Sequence, residues 1–309
     1  MIGSTLKGWL KSAFYRLSLH AGPVGLRNAW LRLRRHTRCT VLLYHRVNDL
    51  SQDNLTTSTR RFAEHLSTLR RHYPVLSLSD AFEAMRADRY LGPNLVVITF
   101  DDGYADNHDA AAPILERFGL PASFFVTVGH VNTSRPLEHD ARSPHRFANL
   151  TWEQIRSLDA RGFEIGSHGW SHKNLARCPL EEARREIRES RDLLARELGH
   201  PIRAFAYPFG AATDMTPDVA REIRDAGFQV ILSAYGGANL GTMDPLDVRR
   251  VGVSQAFDAL GLRAQVEGFA LQSLRRQFCA RVLRRQPRRR VSERLDGAMA
   301  ATSGRGSAP

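Results

Sequence analysis

Four side chains in this sequence have the types and spacing to do chemistry together. They are Asp101 and Asp102 in Thr99-Phe100-Asp101-Asp102-Gly103, and the two imidazoles of His168-Gly169-Trp170-Ser171-His172. One helical turn brings residues i and i+4 to one face, so the histidines are spaced to bind one ion, with Asp102 as a third donor. Two His and one carboxylate leave positions open for water, which is the arrangement of a catalytic metal. An ion so held acidifies water and polarises a carbonyl oxygen. Asp101, beside the ligand but not on the metal, is placed to act as general base. Alone, Asp-Asp-Gly reads first as a turn, and a lone histidine as structural or exposed. The combination is what points to chemistry.

Ligand sites in parallel α/β sheets lie at the carboxyl ends of strands. Leu95 to Phe100 is an apolar, β-branched run that reads as a strand buried on both faces. The two carboxylates follow it at once. Neighbouring side chains of an extended segment point opposite ways, so they can take separate jobs, and Gly103 lets the chain turn sharply. Phe163 to Ser167 is the strand before His168, and Thr40 to Tyr44 is a buried run ending at His45. Val75-Leu76, Ala122–Val128, Ala204–Tyr207, Phe228–Ser233 and Val248–Val253 read as further strands. Helices are expected from Arg61 to His72, from a Ser79 cap to Met85, and through Ile114 to a Gly119 C-cap. Three more are expected after the capping box Thr151/Gln154 with its staple Leu150/Ile155, over Leu180–Leu198, and over Asp218–Ala226. Strands alternate with helices about eight times, which predicts an α/β fold of parallel βα units, barrel-like or open. Residues 130–149, with His130, His139 and His145, read as a loop over the sheet rim.

Thr99–Gly103, His168–His172 and Phe205-Ala206-Tyr207-Pro208-Phe209-Gly210, in that order, resemble the first three motifs of the polysaccharide deacetylases. These are carbohydrate esterases with a NodB-homology domain, and the similarity runs over roughly residues 40–254. The resemblance implies a distorted (β/α) barrel, a divalent ion and hydrolysis of N-acetyl groups (sometimes O-acetyl or N-formyl) on sugars. Zn2+ is the first expectation for the ion, with Co2+, Ni2+ or Mn2+ as alternatives. Asp101 matches the family's base, and Asp102, His168 and His172 match its metal ligands. Tyr207 falls where a backbone N–H helps hold the oxyanion. Three departures stand out. Gly169 replaces the usual Ser or Thr. Ala206 replaces an Arg that orients the base in many members. The late motif ending in the catalytic-acid histidine is missing near the C-terminus. Val41-x-Leu43-x-His45 has that last pattern at the other end of the chain. The barrel therefore reads as circularly permuted with His45 as the acid, and resembles exopolysaccharide-modifying deacetylases that open with a Tyr-His strand. Arg250 is the candidate replacement for the missing Arg, although Arg249-Arg250 reads equally as a surface pair.

The 309 residues carry a formal charge of +12, and it sits at the ends. Residues 1–38 hold eight Lys and Arg and no acid; residues 271–309 hold ten Arg against Glu293 and Asp296, so the middle is mildly acidic. Three parts are expected: basic amphipathic helices over 1–38, the catalytic domain over 39–254, and a basic helical extension with a disordered tail over 255–309. The basic ends suit an anionic membrane surface, or equally a solvated face; the tail is also compatible with nucleic acid, a weaker reading than a solvated tail. Cys39, Cys178 and Cys279 form no disulfide framework or metal knuckle and fit a reducing compartment. No signal peptide or membrane span is expected, which suggests a cytoplasmic, at most membrane-peripheral, protein. The expected substrate is an N-acetylhexosamine glycan, with a lipid-linked sugar as the alternative. The competitor from another class is a basic nucleic-acid or membrane-binding module with an inactive core.

Overall fold

Two apolar, β-branched runs pair in parallel from end to end, and both are buried at every position, as strands covered on two faces must be. They are β1 (Arg38–Tyr44) and, after the short β2 (Arg46–Val47), β3 (Thr56–Thr57) and β4 (Val75–Leu76), β5 (Asn94–Phe100). The computed structural model describes residues 22–241 and 244–269, together with Ala13, Tyr15, Leu17 and Ser18. Most of the first expected helix, the Arg-rich tail and Cys279 lie outside the described residues.

From β5 the sheet continues through β6 (Ser123–Val126), β7 (Glu164–Ser167), β8 (Ala204–Ala206) and β9 (Val230–Leu232), each parallel to the last. On the other side of β1, β10 (Asn239–Leu240) runs antiparallel against its start, and β11 (Arg250–Gly252) pairs in parallel with its later half. Val248, just before β11, bridges to Leu232, so the curled sheet meets itself as a distorted barrel. Among the described residues the α-helices are α1 (Pro23–Arg34), α2 (Thr59–His72), α3 (Leu78–Arg86), α4 (Ala112–Phe118), α5 (Trp152–Ala160), α6 (Leu180–Leu198), α7 (Pro217–Asp225) and α8 (Ala259–Val266), with short helical turns at Asn107–Ala111, Val128–His130 and Glu138–Asp140.

The period-2 alternation of the strands sorts their side chains into two cores. Cys39 and Val41 of β1, Leu95 and Val97 of β5, Phe125, Ala206, Val230 and Leu232 form an inner cluster, to which α3 adds Leu78, Ala81 and Met85. Leu42, Tyr44, Val96, Ile98, Phe100, Phe124, Phe205, Ile231 and Val251 face outward, where Phe62, Leu66, Leu115, Ile155 and Ile187 from the helices cover them. Continuing the inner parity up β5 reaches Thr99 and Asp101, and up β1 it reaches Leu43 and His45. Tyr44 pairs with Phe100, so His45 and Asp101 leave adjacent strands at the same level. Because Val251 faces out, Arg250 faces in.

The helix ends follow their caps. Thr151 and Gln154 form the capping box of α5, and Gly119 and Gly199 close α4 and α6 in the left-handed conformation. The cap of α3 is Ser77 rather than Ser79, because the Ser77 side chain accepts from the Asp80 amide. The extension expected to begin at 255 starts within the packed body. The Val266 carbonyl of α8 accepts from Arg38 and Thr40, and Gln265 Nε2 donates to the Gly252 carbonyl.

Candidate active site

The Asp101 amide continues the ladder onto the Tyr44 carbonyl at 3.0 Å. The chain then turns abruptly, with Asp102 at φ +78° and Gly103 at φ +82°. Asp is one of the few L-residues that tolerate this left-handed region. The turn, and not the alternation of an extended strand, sends the two carboxylates into different surroundings.

Asp101 meets Arg250. Nη1 and Nη2 donate to Oδ1 and Oδ2 at 2.6 and 2.7 Å, a two-pronged contact that fixes the carboxylate plane. Arg250 is itself buried, and its Nε donates to the Ser233 carbonyl at 2.7 Å. Burial would raise the Asp101 carboxyl, but the Arg250 charge outweighs it, with help from His168, and holds it below the ordinary carboxylate value. Arg250 is therefore not part of a surface pair: it is in contact with Asp101, away from solvent.

Asp102 meets imidazoles. Its Oδ1 lies 3.4 Å from His168 Nε2 and 3.2 Å from His172 Nε2. Burial would raise this carboxyl too, but His139, His168 and His172 hold it well below the ordinary value. His168 Nδ1 stands 2.8 Å from the Ala206 carbonyl. A carbonyl only accepts, so Nδ1 carries a proton and Nε2 is the ring atom turned toward Asp102. A ring protonated at Nδ1 alone would offer Nε2 as a donor to an ion shared with Asp102. One donor atom from each of Asp102, His168 and His172 lies within 4.8 Å of the other two, and all three residues are buried. The residues present therefore fit a divalent ion.

The two histidines are not on a helical turn, as their spacing suggests. They lie in a loop with Gly169 at φ +76° and His172 at φ +62°. Glu186 of α6 supplies the anchor: its Oε2 accepts from the Trp170 and Ser171 amides at 3.0 and 2.7 Å. Tight passage also matters. The Gly129 amide donates to the Trp170 carbonyl at 2.7 Å, and a Cβ on Gly129 would lie 2.7 Å from that oxygen.

His45 stands among Asp101, Asp102, His168 and Arg250, and burial pushes its pKa down against the opposing pull of Asp102 and Asp101. Its carbonyl accepts from Asn107 Nδ2 at 2.8 Å, which anchors the backbone at the end of β1. Tyr207 requires a correction. Its amide donates to the Leu232 carbonyl at 3.0 Å, so the N–H expected to hold an oxyanion is spent in the β8–β9 ladder. The residue that sequence reasoning missed is His139. Its loop was expected over the rim, but nothing in the spacing of His130, His139 and His145 distinguishes the one whose Nε2 comes within 3.4 Å of Asp102 Oδ2.

Residues 88–231 match the family model described as polysaccharide deacetylase. The chain is 25% identical over 244 residues to YxkH of Bacillus subtilis (strain 168), whose name places it among polysaccharide deacetylases; the match covers 78% of this chain and 80% of that protein. It is 30% identical over 142 residues to the poly-beta-1,6-N-acetyl-D-glucosamine N-deacetylase of Escherichia coli (strain K12), covering 44% of this chain and 21% of that protein. Of solved structures, IcaB from Ammonifex degensii superposes with a TM-score of 0.63 at 27% identity, over 75% of this chain and 97% of that one. The Streptococcus pyogenes deacetylase PplD has the same fold, with a TM-score of 0.63 at 21% identity over 74% and 98% of the two chains. His45 and Arg250 both lie outside the stretch that the family model matches.

Proposed function

We propose that the chain is a polysaccharide deacetylase, a hydrolase of carbon–nitrogen bonds other than peptide bonds, and that it removes N-acetyl groups from a glycan containing N-acetylhexosamine. The observation that carries the proposal is the buried cluster of Asp102, His168 and His172, with His168 Nε2 turned toward the Asp102 carboxylate. Two nitrogens and one oxygen suit Zn2+ first, and Co2+, Ni2+ or Mn2+ next. When bound, such an ion polarises the amide carbonyl and acidifies a water. Asp101 takes the proton that the attacking water gives up, and Arg250 keeps that carboxylate ionised and aimed. His45, on the adjacent strand, delivers a proton to the departing amine. Burial lowers its pKa, so the proton that it hands to the amine is one it first takes up from solvent as negative charge develops on the substrate beside it.

The test is acetate release from a panel of N-acetylated oligosaccharides and lipid-linked sugars, with and without chelator and added Zn2+. Release that chelator abolishes and Zn2+ restores is the expected result. A protein that binds metal and releases acetate from none of them would refute the reading.

A lipid-linked sugar at a membrane face is the second reading, and α1 favours it. Leu26, Trp30 and Leu33 recur on one face and are 78%, 51% and 82% exposed, beside the exposed Arg32, Arg34 and Arg35. An apolar stripe flanked by arginines suits the surface of an anionic bilayer. No helix among the described residues is long and apolar enough to cross a membrane. Flotation with anionic but not neutral vesicles, lost in Trp30→Ser with Leu33→Ser, would support this reading; indifference to lipid charge would refute it.

A further inference from the structure

The two oxygens of Asp102 differ in what they face. Oδ1 looks toward His168 and His172, whereas Oδ2 is buried with no hydrogen-bond partner of ordinary geometry. His139 Nε2 stands 3.4 Å from Oδ2. The same nitrogen is 2.8 Å from the Tyr104 hydroxyl. Tyr104 donates its own proton to Asp140 Oδ2 at 2.6 Å, so the contact with His139 is made by an Nε2–H. The nearer acceptor of that N–H is the Tyr104 oxygen, and Asp102 Oδ2 lies beside it at 3.4 Å as the longer second acceptor of a three-centre contact.

What holds His139 there is a buried chain of charge. Arg46 Nη1 donates to Asp140 Oδ1 at 2.6 Å, and Nη2 reaches Asp53 at 2.6 Å. The Arg46 guanidinium lies 3.8 Å from the centre of the Phe147 ring and 5.0 Å from that of Tyr104. Arg46, Tyr104 and Asp140 are all buried, while the His139 side chain keeps 28% of its surface exposed. The loop that carries His139 is therefore pinned to the barrel just after that residue, through Asp140 and Phe147.

We propose that His139 is a positioning residue of the metal centre: its Nε2–H, shared between the Tyr104 oxygen and Asp102 Oδ2, restrains Oδ2 and leaves Oδ1 as the one carboxylate oxygen presented to the ion. A carboxylate restrained to one oxygen keeps another position of the ion free for water or substrate. Partners that orient a ligand in this way commonly contribute 10- to 100-fold to metal affinity. The inference rests on the reading of Asp102, His168 and His172 as ligands.

The experiment is Zn2+ affinity of the chelator-stripped full-length chain, measured by competition with an indicator, alongside its melting temperature without metal. His139→Ala is expected to weaken Zn2+ binding about 10- to 100-fold with the metal-free melting temperature unchanged. His139→Gln, whose amide N–H can reach the same oxygen, is expected to recover most of the loss. Affinity in His139→Ala within about twofold of wild type, well short of the ordinary effect, would overturn the inference. So would a Gln variant as weak as Ala, because a donor would then not be what matters. A wild-type chain that binds Zn2+ and shows the His139 effect yet releases no acetate upholds this inference while the deacetylase reading falls. A wild type that binds no Zn2+ overturns both.

Discussion

Both mouths of the barrel bury a carboxylate among donors, and the two are built to opposite ends. At the amino ends of the strands, Glu267 has its oxygens satisfied: Arg27 and Asn28 donate to Oε2, and Tyr73 and Asn94 donate to Oε1. These partners come from α1, from the end of α2 and from β5, so the carboxylate ties the start of the chain to the segment after α8. At the carboxyl ends, Asp102 faces Nε2 of His168 and of His172, whose Nδ1 has no hydrogen-bond partner among the described residues, and its own Oδ2 has no partner of ordinary geometry, with His139 at 3.4 Å. A buried carboxylate whose acceptors are saturated is a staple. One left unsatisfied among metal-ligating nitrogens is a candidate binding site, held in that state by the rest of the fold.

Substitution at each mouth tests the contrast directly. Asp102→Asn should weaken Zn2+ binding about 100-fold or more, beyond what loss of an orienting partner does, and should leave the stability of the metal-free protein unchanged or slightly higher. A large loss of stability by denaturant titration would mean that Asp102 is a staple too. Asp101→Asn should keep the metal and lower turnover about 100-fold or more; near-normal turnover would remove Asp101 from the role of base. Glu267→Ala should do the reverse of Asp102→Asn. It leaves Arg27 without its buried partner and should cost about 3 kcal/mol in unfolding free energy, with turnover per folded molecule unchanged.

His65, on the outer helix α2, sharpens the contrast. It is a buried histidine with both nitrogens engaged, by the Tyr44 hydroxyl at 3.1 Å and the Phe257 carbonyl at 2.7 Å. Burial lowers its pKa from 6.5 to about 4, partly opposed by the bond to Phe257. The unfolded chain therefore binds the proton first as pH falls. The stabilisation from keeping this ring neutral is present above pH 6.5 and is lost between 6.5 and about 4, amounting to about 3 kcal/mol when complete. Unfolding free energy followed across that window should slope in the wild type and flatten in His65→Gln. Equal slopes would show that other groups control the acid limb.

The elements around the site were largely legible. The buried runs that became β1 and β5, the capping box of α5 and the full span of α6 are local patterns of hydrophobicity and cap chemistry, and these survive folding unchanged. The pair Asp101 and Asp102 and the two histidines could be read from their order along the chain. Their geometry could not: a His-x-x-x-His spacing implies a helix turn, and only Glu186, gripping the loop amides from α6, makes it a loop instead. The Tyr207 amide reads as free from its motif, but the sheet partner that consumes it, Leu232, lies 25 residues further along the chain.

From sequence alone came the donor types, their attachment to strand ends and the alternation that faces Asp101 and His45 inward, because each depends only on residues close in the chain. Arg250 and His139 were decided by tertiary structure. Arg250 becomes the partner of Asp101 only because β11 closes the barrel against β1. His139 reaches Asp102 only because Arg46, Asp140 and Tyr104 pin a loop whose own sequence has no periodicity. Electrostatic pairing acts through space, so a charge finds its partner only after the backbone has brought together strands that lie far apart in the chain.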